Sequence, residues 1–200
     1  SCEFWVALRF DVAMIEVAPG PKKGIFSLGV SVDIVQAATQ SAHRVIAQVN
    51  ARMPYTLGES LITQDQIDDL VYFDEKLPEL PAEDLGPAAL WIGRYAANLI
   101  NDGSTLQMGI GSIPDAVLSS LGNKKNLGVH SEMISDGVLH LLNQGVINGR
   151  KKTINPGVII TSFCLVESIE LFVSRSWVIK SIWLFTILIT WRQSSISIFV

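Results

Sequence analysis

The stretch LGVHSEMISDG brings His130, Ser131 and Glu132 to the end of a short apolar run and then stops at a polar turn. Earlier in the chain, TLQMGIGSIPDAV places Gly109 and Gly111 between a strand pattern and a helix pattern. Glycines there let a ligand approach the backbone closely, and the free N–H groups of a helix beginning near Pro114 attract anions. A phosphate or a developing oxyanion would suit such a turn, although a glycine turn before a helix is often only a tight connection. In open α/β sheets ligands gather at the carboxyl ends of strands, which is where Glu132 stands.

Three chemistries fit a carboxylate in that place. A dinucleotide site would use an acid about 20 residues after its glycine fingerprint to hold a ribose, and Glu132 lies 21 residues after Gly111. Against it, GIGSIP puts Pro114 where the third glycine should stand. A zinc deaminase would need the P-C-x-x-C partner of its H-x-E half, and HSE has none, because Cys164 stands alone. A nucleophilic carboxylate would attack an acyl centre while amides of the glycine turn stabilise the oxyanion. His130 and Ser131 would flank it, although an imidazole on a strand such as His130 is more often a core residue. His140 lies inside a helix pattern, and His43, at an expected helix end, would favour that helix's C-terminal dipole.

The elements that must position these residues alternate strand and helix. FDVAMIEVAP reads as a buried strand ended by Pro19 and Gly20, PGPKKGIFSLG as a loop, and VDIVQAATQSAH as a helix. RVIAQVN is a second strand closed by Asn50, and Thr63 with Gln66 offers a capping box for a helix through Leu70. Phe73 to Pro87, rich in proline and acid, reads as a linker. Beyond it comes a helix with Pro87 near its first position and Ala89, Ile92, Ala96 and Ile100 on one face. Strand TLQMGI, helix PDAVLSSL, strand LGVHSEM, a helix from about Asp136 to Gln144 capped by Ser135, and strand GVIITSFC follow. Strand–helix–strand units with connections this short predict an α/β fold of two open, mostly parallel-sheet units.

Composition supports a folded chain. Of its 200 residues 48% are hydrophobic and 17% charged, with a net charge of −4. That balance excludes disorder and gives no case for nucleic acid. Two cysteines, Cys2 and Cys164, make neither a disulfide framework nor a zinc site. A reducing intracellular compartment, cytoplasmic or mitochondrial, is therefore expected. The start lacks a secretory pattern and an initiator Met, so the chain is expected to begin inside a longer protein. From about Glu167 the composition changes. SRSWVIKSIWLFTILITWRQSSISIFV has no Gly, Pro, Asp or Glu, and its longest apolar stretch is shorter than the roughly 20 residues a bilayer span needs. It reads as an interfacial or aggregation-prone segment, or as sequence foreign to the domain.

Taken together, FDVAMIEVAP, SLGVSVD, IAQVN, DGSTLQMGIGSIPDAVLSSL and LGVHSEMISDGV resemble the acetyl-CoA hydrolase/transferase family, nearest its CoA-transferases for 4-hydroxybutyrate or acetate. The resemblance runs from Asp11 to Val166. It implies class I CoA-transferase chemistry, with Glu132 as the nucleophile that carries a glutamyl-CoA thioester. The family's CoA-contacting and oxyanion loop falls on Gly109, Ile110, Gly111, Ser112 and Ile113. Coenzyme A is implied as the shared carrier, with an acyl-CoA and a small carboxylate as substrates and no metal. The charge balance leaves no nucleic acid among the expected partners, the apolar stretch after Glu167 is too short to span a membrane, and a homo-oligomer is compatible with the reading.

By this resemblance residues 1–82 are the later part of a first α/β domain, residues 83–166 the first half of a second, and residues 167–200 a hydrophobic tail outside the family pattern. Acetyl-CoA hydrolase is the alternative activity, and an inactive truncated remnant the alternative state. In MPYTLGES the family commonly has a basic residue and a histidine where Tyr55 and Leu57 stand.

Overall fold

The computed structural model describes residues 10–78 and 84–164, together with the backbone of residues 196–198. The described residues form two compact units, one on each side of residues 79–83. The hydrophobic tail expected from position 167 otherwise lies outside the described residues.

The first unit is a five-stranded sheet. Its strands are β1 (Phe10–Pro19), β2 (Ile25–Ser27), β3 (Ala42–Val49), β4 (Leu61–Thr63) and β5 (Asp69–Tyr72), in the order β4-β2-β1-β3-β5. β1, β3 and β5 run parallel, while β2 pairs antiparallel with β1 and β4. One helix, α1 (Val35–Ser41), connects β2 to β3. Alternation along β1 and β3 sends Ala13, Val17, Val45, Ala47 and Val49 into a core with Phe26, Leu28, Val32 and Ile62. The opposite positions Val12, Met14 and Tyr72 face solvent.

Three local expectations are corrected here. The loop expected over PGPKKGIFSLG contains β2. His43 is not at a helix end: the chain turns extended at Ala42, which pairs with Phe10, so His43 lies in β3. The helix expected through Leu70 is a single 3₁₀ turn, Gln64–Gln66. Gln66 Oε1 does accept from the Thr63 amide at 3.0 Å. However, Asp68 Oδ2 accepts from the Val45 amide at 2.7 Å, and the chain is drawn into β5 beside β3.

The second unit begins with α2 (Pro87–Leu99), with Pro87 at its N-terminus. It continues through β6 (Thr105–Gln107), α3 (Ser112–Ser119), β7 (Gly128–Val129), β8 (Met133–Ile134), α4 (Asp136–Asn143) and β9 (Phe163–Cys164). β6 pairs in parallel with β7 on one side and with β10 (Ile196–Ile198) on the other, and β8 pairs in parallel with β9. Gly93, Ala97 and Ile100 form the buried face around α2, and Ile92 is exposed, contrary to the spacing read from sequence. The reason is a close helix crossing. A Cβ on Gly93 would stand 2.4 Å from the Ala116 carbonyl oxygen, so α2 meets α3 at this glycine. No helix among the described residues is long and apolar enough to cross a membrane.

Candidate active site

The glycine turn and Glu132 leave two adjacent parallel strands. Thr105 pairs with Gly128 and Leu106 with Val129, and the His130 amide donates to the Leu106 carbonyl at 2.9 Å. Two residues on, the Ser131 hydroxyl takes over from the ladder. It donates to the Met108 carbonyl at 2.8 Å and accepts from the Met108 amide at 3.0 Å. Gly109 and Glu132 are therefore the next residues of two backbones already held together.

Gly111 is the N-cap of α3, with φ 105°, a left-handed conformation that glycine adopts without strain. The helix begins at Ser112, earlier than sequence suggested, and Pro114 stands in its first turn. No side chain caps this end. None of the backbone amides of Gly109 to Ile113 donates a hydrogen bond to a described residue. Ile110 and Ile113, 39% and 44% exposed, flank the glycine. The loop thus offers unclaimed donors beside two apolar side chains, a surface suited to an anionic or developing-anionic oxygen attached to an apolar body.

Glu132 is exposed, at a bend between β7 and β8. Among the described residues no hydrogen bond or ion pair is made by its carboxylate. Its backbone is firmly held, because its carbonyl accepts from the amides of Ser162 and Phe163 at 3.1 and 3.0 Å. The hydroxyls of Thr161 and Ser162 add contacts of 3.0 Å each. A free carboxylate on a fixed backbone is what a nucleophile requires.

His130 is half-buried and bridges to Ile160 in the parallel direction. Burial lowers its pKa first, and the charge of Lys152 lowers it further. Lys152 is only 5% exposed. Its ammonium donates to the carbonyls of Val129 and Val158 at 2.9 and 2.7 Å, and burial lowers its pKa to about 8. Ser135 stands at the N-cap of α4, but its hydroxyl does not cap the helix. It donates to Asp115 Oδ1 at 2.8 Å and so ties the first turn of α3 to the start of α4. His140 is exposed and hydrogen-bonded to Gln144 at 2.8 Å. Among the described residues no group of three or more His, Cys, Asp or Glu side chains is placed to hold a metal ion.

Lys152, Thr161, Ser162 and the bonding role of Ser131 are absent from the sequence reading. Only Ser131 carried a signal. It continues the inward positions Leu127 and Val129, so a hydroxyl stands where the alternation calls for an apolar side chain. Lys152 lies in a basic loop, and Thr161 and Ser162 in an ordinary β-branched run.

Residues 3–80 match the family model of the acetyl-CoA hydrolase/transferase N-terminal domain. The chain is 52% identical over 158 residues to the 4-hydroxybutyrate coenzyme A transferase of Clostridium kluyveri, covering 79% of this chain and 37% of that protein. It is 43% identical over 157 residues to a succinyl-CoA:acetate/propanoyl-CoA:succinate CoA transferase of Fasciola hepatica, covering 78% and 33%. The crystal structure of a 4-hydroxybutyrate CoA-transferase from Porphyromonas gingivalis superposes with a TM-score of 0.82 at 41% identity, over 90% of this chain and 47% of that one. The chain thus spans 37% and 33% of the length of these two curated relatives.

Proposed function

Because the chain belongs to the acetyl-CoA hydrolase/transferase family, we propose that it carries the nucleophile and oxyanion loop of a CoA-transferase, moving coenzyme A between an acyl-CoA and a small carboxylate. 4-Hydroxybutyrate and acetate are carboxylates that appear in the names of its relatives. Residues 1–82 then belong to the first α/β domain of the family fold, and residues 83–166 open the second.

The observation that supports this reading is the Ser131–Met108 hydrogen-bond pair, which joins the two backbones one residue before Glu132 and one before Gly109, where the amides of Gly109 to Ile113 donate to no described residue. The Glu132 carboxylate attacks the thioester carbonyl of acyl-CoA, and the loop amides hold the oxygen as it becomes negative. Collapse expels the CoA thiolate and leaves a mixed anhydride between Glu132 and the acyl group. The thiolate attacks the Glu132 carbonyl, releasing the first carboxylate and forming a glutamyl-CoA thioester. An acceptor carboxylate attacks that thioester, and the thiolate then attacks the acceptor carbonyl, restoring the Glu132 carboxylate. Water in place of the acceptor gives the hydrolase outcome.

A carboxylate is a weak nucleophile, so rate must come from proximity and from oxyanion donors, with remote binding energy from the CoA nucleotide. The test is to incubate the folded protein with acetyl-CoA, reduce with borohydride and map the peptides. Reduction at Glu132 is expected, and an unmodified Glu132 overturns the reading.

A further inference from the structure

The second unit has four buried polar side chains among its described residues, Ser131, Lys152, Thr161 and Ser162. All four bond to the backbone leading to Glu132 or facing it. Ser131 is tied to Met108, Lys152 donates to Val129, and Thr161 and Ser162 both donate to the carbonyl of Glu132 itself. Burying a hydroxyl or an ammonium is costly unless it is satisfied, and simple packing would be served as well by apolar groups. Their concentration on one strand end therefore calls for a reason other than packing.

The Glu132 carbonyl has two lone pairs and receives two amides and the Ser162 hydroxyl. The Thr161 hydroxyl is shared between this oxygen at 3.0 Å and the Phe163 carbonyl at 2.8 Å. That convergence resists rotation of the peptide from which the carboxylate projects. At the base of the same strand pair, the Lys152 ammonium joins the carbonyls of Val129 and Val158. Its stem crosses Gly128 so closely that a Cβ there would lie 2.4 Å from Lys152 Cγ.

We propose that Ser162, Thr161 and Lys152 are positioning residues for Glu132, fixing the backbone that aims its carboxylate without touching the acyl group. This rests on Glu132 being the nucleophile. An in-line attack by a short side chain depends on backbone placement, and a displacement near 1 Å can cost on the order of 100-fold in rate.

The experiment compares the full chain with Ser162→Ala, Ser162→Thr and Lys152→Met. The rate of borohydride-trapped adduct at Glu132 is followed beside CoA affinity by calorimetry and the thermal midpoint. Ser162→Ala is expected to slow trapping by about 10-fold or more, with CoA affinity unchanged, and Ser162→Thr to restore the rate. Trapping by Ser162→Ala at the wild-type rate overturns the proposal. So does a loss that parallels a loss of CoA affinity or that Ser162→Thr leaves unrepaired. Should Ser162→Ala fail to fold, Lys152→Met, which keeps an apolar stem over Gly128, gives the same comparison. A wild-type chain that forms no adduct overturns the nucleophile reading as well, whereas a reactive wild type with an equally reactive Ser162→Ala overturns the positioning role alone.

Discussion

The Ser131 hydroxyl and the Met108 backbone form a closed two-bond ring, donating at 2.8 Å and accepting at 3.0 Å across 23 residues of sequence. This ring stands one residue before Gly109 and one before Glu132. A side chain thereby mimics the next rung of the β6–β7 ladder and frees both chains to diverge into loops immediately afterwards. Both partners are buried, so the ring is shielded from competing water.

Ser131→Ala should therefore be costly for so small a change. It strands the buried amide and carbonyl of Met108, and unsatisfied buried groups cost about 1–3 kcal/mol. Urea unfolding followed by circular dichroism measures the loss. A variant as stable as the wild type would show that the two loops are joined by other means.

Lys152 gives stability an unusual dependence on pH. Burial lowers its pKa to about 8 from the ordinary 10.5, so between those values the unfolded chain holds a proton that the folded chain has released. Stability contributed by this group rises as pH climbs through that window. Unfolding of the wild type and Lys152→Met, measured from roughly pH 7.5 to 10.5, should show the difference between them moving in favour of the wild type. A difference constant across the range would contradict the suppressed charge.

How much of this was legible from sequence varies by element. β1 matches its expected span because ten residues of apolar-rich sequence end at a proline. α4 (Asp136–Asn143) falls within one residue of its expected span, and Gly145, just past its C-cap Gln144, has a positive φ of 76°. β2 was hidden because three residues are too few to show a period. The capping box at Thr63 formed, yet the helix it announced did not extend, because Asp68 and Asp69 bond to β3. Local signals lost there to a tertiary partner that no window of sequence contains. At the site, Glu132 and the glycine turn were visible as residue types at strand ends. Lys152, Thr161 and Ser162 were not, since hydroxyls and an ammonium acting through backbone carbonyls carry no spacing rule.

The α2–α3 crossing depends on Gly93. A methyl group would meet the Ala116 carbonyl oxygen at 2.4 Å and the Val117 nitrogen at 2.9 Å, both backbone atoms that cannot swing aside. Gly93→Ala gains helix propensity but forces the helices apart, and overpacking of this kind costs about 1–3 kcal/mol. A lowered thermal midpoint is expected. A raised one would mean that the helices are not in contact at this point.

Cys164 should be inert in the folded protein. It is buried, and burial pushes its thiol up to about 12, whereas alkylation needs the thiolate. Iodoacetamide at neutral to mildly alkaline pH should leave the Cys164 peptide unmodified until urea unfolds the chain. Rapid labelling without denaturant would show that β9 opens readily.

Glu132→Gln separates chemistry from stability. The side chain is exposed, and its carboxylate bonds to no described residue. Removing its charge should change unfolding free energy by less than about 0.5 kcal/mol, as for other surface substitutions. The four contacts at 3.0–3.1 Å on the Glu132 carbonyl involve backbone only on the glutamate side, so they survive in the amide. Yet the amide oxygen cannot attack a thioester, and no adduct should form at position 132 under conditions where the wild type is trapped. Loss of the adduct with an unaltered melt assigns the nucleophile to that carboxylate. A persisting adduct elsewhere in the chain would move the chemistry to another residue, and a collapsed melt would mean that the acid was holding structure after all.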